Sequence, residues 1–182
     1  MRLIGRRMLL AAGGTLASAP LARKPIAAET TLPAAQLKII DPPEPAPAIV
    51  FLREDGTEHS LKEFRGWGMV LNFWATWCAP CIAEMPALAA LSSNLAPADI
   101  AVMPLSSDRG GAAAVRRFYA AQKITFLPVL LDPNGAAARL FRVNGIPATV
   151  IVDKQGRIRA RMDGAADWSQ PATATTIRRL VG

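Results

Sequence analysis

Residues 69–74 are apolar at every position except Asn72, in a run too short for an ordinary helix. A strand of that composition has to be covered on both faces. The period changes directly after it: Ile82, Met85, Leu88 and Leu91 recur at helical spacing within residues 78–93, where Pro86 is expected to kink the helix. A doubly covered strand feeding straight into a helix restricts the chain to layered α/β folds.

The alternation then repeats. Residues 100–105 read as a second central strand and 112–122 as a helix with Val115, Phe118 and Tyr119 inward. Residues 129–131 read as a third strand closed by Asp132-Pro133-Asn134-Gly135. Residues 136–142 are helical and 148–152 a strand. After the turn Asp153-Lys154-Gln155-Gly156, Arg157, Arg159 and Arg161 alternate with Ile158, Ala160 and Met162, which predicts a half-exposed antiparallel strand with solvated arginines. Residues 169–181 form a helix weakened by Thr173, Thr175 and Thr176. Ahead of the central strand, residues 49–52 form a strand ending at Asp55-Gly56, and Ser60-Leu61-Lys62-Glu63 has capping-box spacing. The expected fold is α/β, one mixed central sheet flanked by helices.

The chain has 182 residues, 51% of them hydrophobic, enough for one core and one domain. Its longest apolar run, residues 8–22, is interrupted by Gly13, Gly14, Thr15 and Ser18, which excludes a transmembrane bundle. The net charge of +7 is concentrated at one end. Residues 1–28 hold Arg2, Arg6, Arg7, Arg23 and Lys24 and no acid, leaving sixteen bases against fourteen acids, a net of +2, for the remainder. Such a balance does not require a phosphate-binding face, and no nucleic-acid partner is expected.

Residues 1–28 have the basic, apolar and small-residue parts of an export signal, and Arg6-Arg7-Met8-Leu9-Leu10 resembles a twin-arginine signal. Cleavage after Ala17-Ser18-Ala19 or Ile26-Ala27-Ala28 would release a periplasmic protein; left uncut, the segment would tether the protein to the inner membrane. Residues 29–47 contain Pro33, Pro42, Pro43, Pro45 and Pro47 and read as a Pro-rich linker, which places the folded domain at 48–182.

Two cysteines occur, Cys78 and Cys81, in Trp77-Cys78-Ala79-Pro80-Cys81. The pair sits where a buried strand opens a helix, and unpaired amides and the helix dipole stabilise negative charge there. Cys78 is thereby the expected nucleophile, attacking a disulfide as a thiolate, and Cys81, one turn in, the resolving thiol. A structural disulfide is the first alternative, although so small a loop constrains the unfolded chain little. A zinc site is the second, although it needs about four ligands and the sequence adds only the distant His59. His59 is expected at the surface. Met69, Met85, Met103 and Met162 are expected in the core, and no copper or other metal site is expected.

Val70-Leu71-Asn72-Phe73-Trp74-Ala75-Thr76-Trp77-Cys78-Ala79-Pro80-Cys81 with Glu84-Met85-Pro86 resembles the active-site segment of thioredoxin-fold proteins, specifically the exported TlpA/ResA/CcmG-like branch. Gly145-Ile146-Pro147-Ala148-Thr149 is similar to that family's cis-proline loop, and Gly164-Ala165-Ala166-Asp167-Trp168 to a late segment of TlpA relatives. The resemblance implies a thioredoxin fold with a strand and helix inserted between the active-site helix and the cis-proline strand. It implies a cis Pro147 against the Cys78 sulfur, where an ordinary turn proline is the alternative. It also implies substrate contacts at Trp77, Ala79, Pro80, Ile146 and Pro147, with Trp74 and Trp77 shielding the sulfurs. Asn72 replaces the buried aspartate of thioredoxin itself, which leaves Glu84, three residues beyond Cys81, either as proton acceptor or as a surface acid.

The activity implied is a thiol:disulfide oxidoreductase that reduces disulfides of exported proteins, such as apocytochrome c or copper-centre proteins. Electrons would come from a membrane thiol donor, with no cofactor beyond the Cys78/Cys81 pair. A monomer is expected. The alternatives are a redoxin-type peroxidase, whose threonine three residues ahead of the cysteine is replaced by Ala75, and a metallochaperone or binding module.

Overall fold

The computed structural model describes residues 37–182. The export-signal reading and residues 29–36 of the expected linker lie outside the described residues. The strands are β1 (Lys38–Pro45), β2 (Val50–Arg53), β3 (Glu58–Ser60), β4 (Gly68–Trp74), β5 (Ile100–Ser106), β6 (Leu130–Leu131), β7 (Ala148–Val152) and β8 (Arg157–Asp163). The helices are α1 (Ala79–Leu95), α2 (Gly111–Gln122), α3 (Ala136–Leu140) and α4 (Pro171–Val181). A short 3-10 turn, Leu61–Phe64, is closed by the capping box of Ser60 and Glu63 that the spacing predicts.

One eight-stranded mixed sheet runs in the order β1-β8-β7-β4-β5-β6-β2-β3. β4 pairs in parallel with β5 and antiparallel with β7, and all of its residues are buried. Side chains alternate faces along a strand, so Met69, Leu71 and Phe73 enter one core with Phe51, Met103, Phe141 and Val152. Val70 and Trp74 enter the other, with Met85, Leu88, Val115, Ile177 and Leu180 from α1, α2 and α4. Asn72 points to this second side, beneath α1. The inserted strand and helix, β5 and α2, lie where the resemblance places them.

One expectation needs correction. The supposed linker contains β1, an edge strand paired antiparallel with β8, and Leu37 just before it is buried. Pro42, Pro43 and Pro45 remove amide donors, but an edge strand needs its donors on one side only, and the ladder shifts register between Ile39 and Glu44. The domain therefore begins ahead of residue 48. α1 runs from Ala79 to Leu95 with Pro86 inside it, and Met85 and Leu88 on either side are fully buried. β3 is an additional strand, pairing with β2 across the Asp55-Gly56 turn.

β8 has the predicted alternation, with Ile158, Ala160 and Met162 buried. Its arginines are more engaged than a solvated row: Arg157 Nε lies 2.9 Å from the buried carboxylate of Asp153, and Arg161 donates to Phe141 O at 2.6 Å.

A tight approach at one glycine sets a stability test. A Cβ on Gly68, the first residue of β4, would overlap the side chain of Val181 at the end of α4. Gly68→Ala is expected to cost about 1–3 kcal/mol in chemical denaturation, and Gly68→Ala/Val181→Ala to recover part of that loss, because the second change removes the overlapping methyl.

Candidate active site

β4 ends at Trp74, and the next four residues turn the chain into α1. Cys78 N–H donates to Ala75 O at 3.2 Å. Asp108, beyond the end of β5 and 3% exposed, anchors the outer part of the turn: its carboxylate accepts from Thr76 N at 2.8 Å, Thr76 Oγ1 at 2.6 Å and Ser106 Oγ at 2.7 Å. Cys78 is the N-cap of α1, with extended backbone, and its Sγ accepts from Cys81 N–H at 3.3 Å. A sulfur held by the first free amides of a helix is where a thiolate is best stabilised.

Cys78 and Cys81 form a disulfide with an S–S distance of 2.06 Å. Their burial is unequal: Cys78 retains 6% exposure and Cys81 none. The Ile146–Pro147 peptide is cis, and Cys78 Sγ lies 3.8 Å from Ile146 O. Pro147 is buried and Ile146 half-buried, whereas Ala79, Pro80 and Trp77 are exposed. Trp77, at 69% exposure, stands off the surface, so of the two tryptophans only Trp74 is packed inside. A cleft of about 640 Å³ begins at Trp77 and runs along Ser107, Arg109 and Asn134.

Glu84 is 4% exposed, which removes its reading as a surface acid. Oε1 accepts from Asn72 Nδ2 at 2.9 Å; Oε2 accepts from Ala166 N–H at 2.9 Å and Trp168 Nε1–H at 3.0 Å. Asn72 Nδ2 also reaches Thr149 Oγ1 at 3.1 Å, a contact set by the β4–β7 register, which places Asn72 opposite Thr149. Burial pushes the Glu84 carboxyl above its ordinary range, against the opposing pull of the donors Ala166, Asn72 and Trp168. No cation pairs with it among the described residues.

Residues 42–161 match the AhpC/TSA family model. The chain belongs to the AhpC/TSA family. Within this thioredoxin-fold family it sits with the thiol-disulfide oxidoreductases. It is 32% identical over 119 residues to the thiol-disulfide oxidoreductase ResA of Bacillus thuringiensis, covering 65% of this chain and 68% of that protein. It is 30% identical over 119 residues to ResA of Geobacillus kaustophilus, covering 65% and 67%. The fold matches a Chlorobium tepidum structure described as a DsbE thiol:disulfide interchange protein, with a TM-score of 0.68 at 24% identity over 79% of this chain and 99% of that one.

The structure brings Cys78, Cys81 and the Ile146–Pro147 loop together, and Glu84 follows three residues beyond Cys81 in α1, bonded to Asn72, Ala166 and Trp168; Trp77, Ala79 and Pro80 lie at the exposed rim. Sequence reasoning missed Asp108, Thr149 and Trp168 as members. Asp108 follows the carboxyl end of a central parallel strand, a position where site residues collect in α/β sheets, and that signal could have found it. His59 is held by Glu63 at 2.7 Å and is not part of the site.

The raised Glu84 carboxyl makes a stability prediction with a definite sign. A buried acid that binds its proton more tightly folded than unfolded favours the folded state at low pH, and this contribution is lost as pH rises from the unfolded value near 4.5 through the raised folded one. Glu84→Gln does not titrate. Denaturation midpoints of the oxidised proteins, compared from pH 4 to 8, are expected to show the variant gaining on the wild type with rising pH, by at most about 1.4 kcal/mol per pH unit within that window.

Proposed function

We propose that the protein reduces disulfides of exported proteins through Cys78 and Cys81, working outside the cytoplasm and recharged by a membrane thiol donor. The observation that carries the reading is the unequal pair: one sulfur at the helix start with a trace of exposure, the other fully buried one turn on, in the same helix as the buried Glu84. The leader at residues 1–28, read as an export signal, supports the location. Among the described residues no helix is long and apolar enough to cross a membrane.

In the reduced form the Cys78 thiolate attacks one sulfur of the substrate disulfide, forming a mixed disulfide and expelling the other sulfur as a thiolate. Glu84 takes the proton from Cys81. The Cys81 thiolate then attacks Cys78 Sγ, closes the Cys78–Cys81 disulfide and expels the second substrate thiolate. Two electrons have passed to the substrate, and no further cofactor is needed. The donor reverses the sequence: Cys81 leaves as a thiolate, and the Glu84 carboxyl returns its proton.

The exposed rim around Cys78 suits an extended substrate segment. Pro147 N has no hydrogen, so the cis-proline strand offers backbone groups such as those of Ile146 to a segment laid beside it as an added strand. Trp77 gives that segment a flat apolar surface, with Ala79 and Pro80 leaving the approach open.

Insulin reduction with a dithiol reductant, peroxide consumption and copper titration on one sample separate this reading from a peroxidase and from a metal carrier. Disulfide reduction is expected, with neither of the others. Cys78→Ser should abolish turnover. Cys81→Ser should accumulate a mixed disulfide on Cys78, and Glu84→Gln should slow closure by about tenfold or more. Turnover retained by Cys78→Ser would mean that the nucleophile is elsewhere. Covalent capture in cells with Cys81→Ser, followed by identification of what is attached, names the substrates.

A further inference from the structure

Cys81 has no exposed surface, and the substrate that is being reduced covers Cys78 at the moment when Cys81 must lose its proton. A proton accepted by Glu84 has to leave by some other side. This argument rests on Glu84 as the acceptor and asks how that residue is connected to water.

A cleft of about 310 Å³ lies between α1 and the segment that follows β8, with Glu84 in its lining. One wall is the face of α1 formed by Ala83 and Ala87 and the other is Ala165 and Ala166, with Asp167 at the rim and Pro80 at one end. Positions 80, 83, 84 and 87 share a helix face by their spacing. Four of the wall residues carry only a methyl group, so no long side chain closes the passage. The far wall is also what holds the carboxylate: Ala166 N–H and Trp168 Nε1–H both donate to Oε2. Oε1 faces the opposite way, toward Asn72. Glu84 thus lines the cleft while its two oxygens are bonded to different parts of the chain, Oε1 to the central strand and Oε2 to the late segment.

We propose that protons reach and leave the buried dithiol through this alanine-walled cleft, with Glu84 as the relay between Cys81 and solvent. Of the substrate-facing residues only Pro80 touches the cleft, at one end; Cys78, Trp77, Ile146 and Pro147 do not line it. A protein lying across them leaves the passage open, so the mixed disulfide can resolve while the substrate is still in place. The balance is simple. Cys81 S–H gives H⁺ to the Glu84 carboxylate, the Cys81 thiolate displaces the substrate thiolate from Cys78, and Glu84 returns H⁺ to water at the cleft.

The groups facing Glu84 suit a relay. Asn72 and Thr149 come from the sheet below and are neutral, and Trp168 from the late segment is a neutral donor. Asp167 is the other acid at the cleft, and its carboxyl is kept below the ordinary range by the Ser169 and Gln170 side chains, so it stays ionised and does not compete for the proton. No cation among these groups would hold Glu84 permanently ionised.

Ala83 and Ala165 are exposed, so leucine at either position narrows the passage without entering the core. The full chain is used with A83L, A165L and the double variant, folding being checked by circular dichroism; the single variants keep the test usable if the double fails to fold. Two rates are read: deuterium exchange of the Trp168 indole N–H by NMR, and ring closure after the reduced protein meets a small aromatic disulfide. Alkylation of Cys78 by iodoacetamide serves as the control for access to the nucleophile. Both rates are expected to fall by about tenfold in the narrowed variants, with alkylation unchanged. Wild-type rates in folded variants overturn the route. E84Q separates the two ideas: slow closure in E84Q with normal closure in the leucine variants removes the route alone, whereas normal closure in E84Q removes the acceptor and the route with it.

Discussion

β4 is hydrogen-bonded along both edges, to β5 and β7, and covered on both faces by separate apolar clusters. A strand fixed in that way cannot shift or slip by a residue without turning its buried side chains to the wrong face. Its last residue therefore delivers the chain to a fixed point, and the first free amides of α1 fall at a fixed distance beyond it. The reactive pair inherits that position. Cys78 lands as the N-cap and Cys81 one turn deeper, and the difference in exposure between them follows from the depth to which α1 enters the layer. Asp108 adds a second anchor from the neighbouring parallel strand, satisfying Thr76 twice, so that the turn is tied to β4 and β5 together.

The same strand also organises the surroundings of Glu84. Because faces alternate along β4, Asn72 must project to the side occupied by α1 if Leu71 and Phe73 are to reach the other core. Antiparallel pairing with β7 sets Thr149 beside it, two residues past Pro147. The buried carboxylate of Glu84 is consequently bonded to two parts of the chain: the central strand through Asn72, and the late segment through Ala166 and Trp168. A charged acid at 4% exposure with no ion pair is costly to bury, and its donors offset only part of that cost. Such an arrangement is poor as a stabilising element and well suited to a group that must change protonation state.

Much of this was legible in the sequence. The unbroken apolar run of β4, the two-residue alternation of β8 and the periodicity of α1 and α2 each reflect burial that local composition records directly. The redox pair was legible because Cys78 and Cys81 stand at a strand-to-helix junction, where spacing and field act together. What could not be read has a common cause. β1 was mistaken for a linker because its prolines argue against a ladder, and only the edge position in the finished sheet makes them tolerable. Glu84 stayed ambiguous between surface and interior because its burial depends on residues 165–168, more than eighty positions away. Trp168 and Thr149 stand in segments that carry the resemblance, but their contacts with Glu84 and Asn72 exist only once β7 and the segment after β8 have been folded against α1.

The choice of an amide at position 72 has a chemical consequence. A carboxylate there would stand about 2.9 Å from Glu84 Oε1, the present Nδ2 distance, and the two acids would share one proton, titrating as a pair with widely separated apparent pKa values. Asn72 instead donates to Glu84 and to Thr149, so a single group titrates in the interior. Its own Oδ1 is buried without a partner, which costs about 1–3 kcal/mol in an ordinary core. That orphan acceptor lies on the amide that contacts the titrating oxygen. When Glu84 is protonated on Oε1, the carboxyl becomes a donor where before it only accepted, and Asn72 is the neighbour able to present an acceptor by turning its amide over. An aliphatic residue would satisfy the core better and serve neither state of Glu84; aspartate would compete for the proton. The amide accommodates both protonation states at the cost of one unsatisfied oxygen, and that cost is incurred beside the residue proposed to carry the proton.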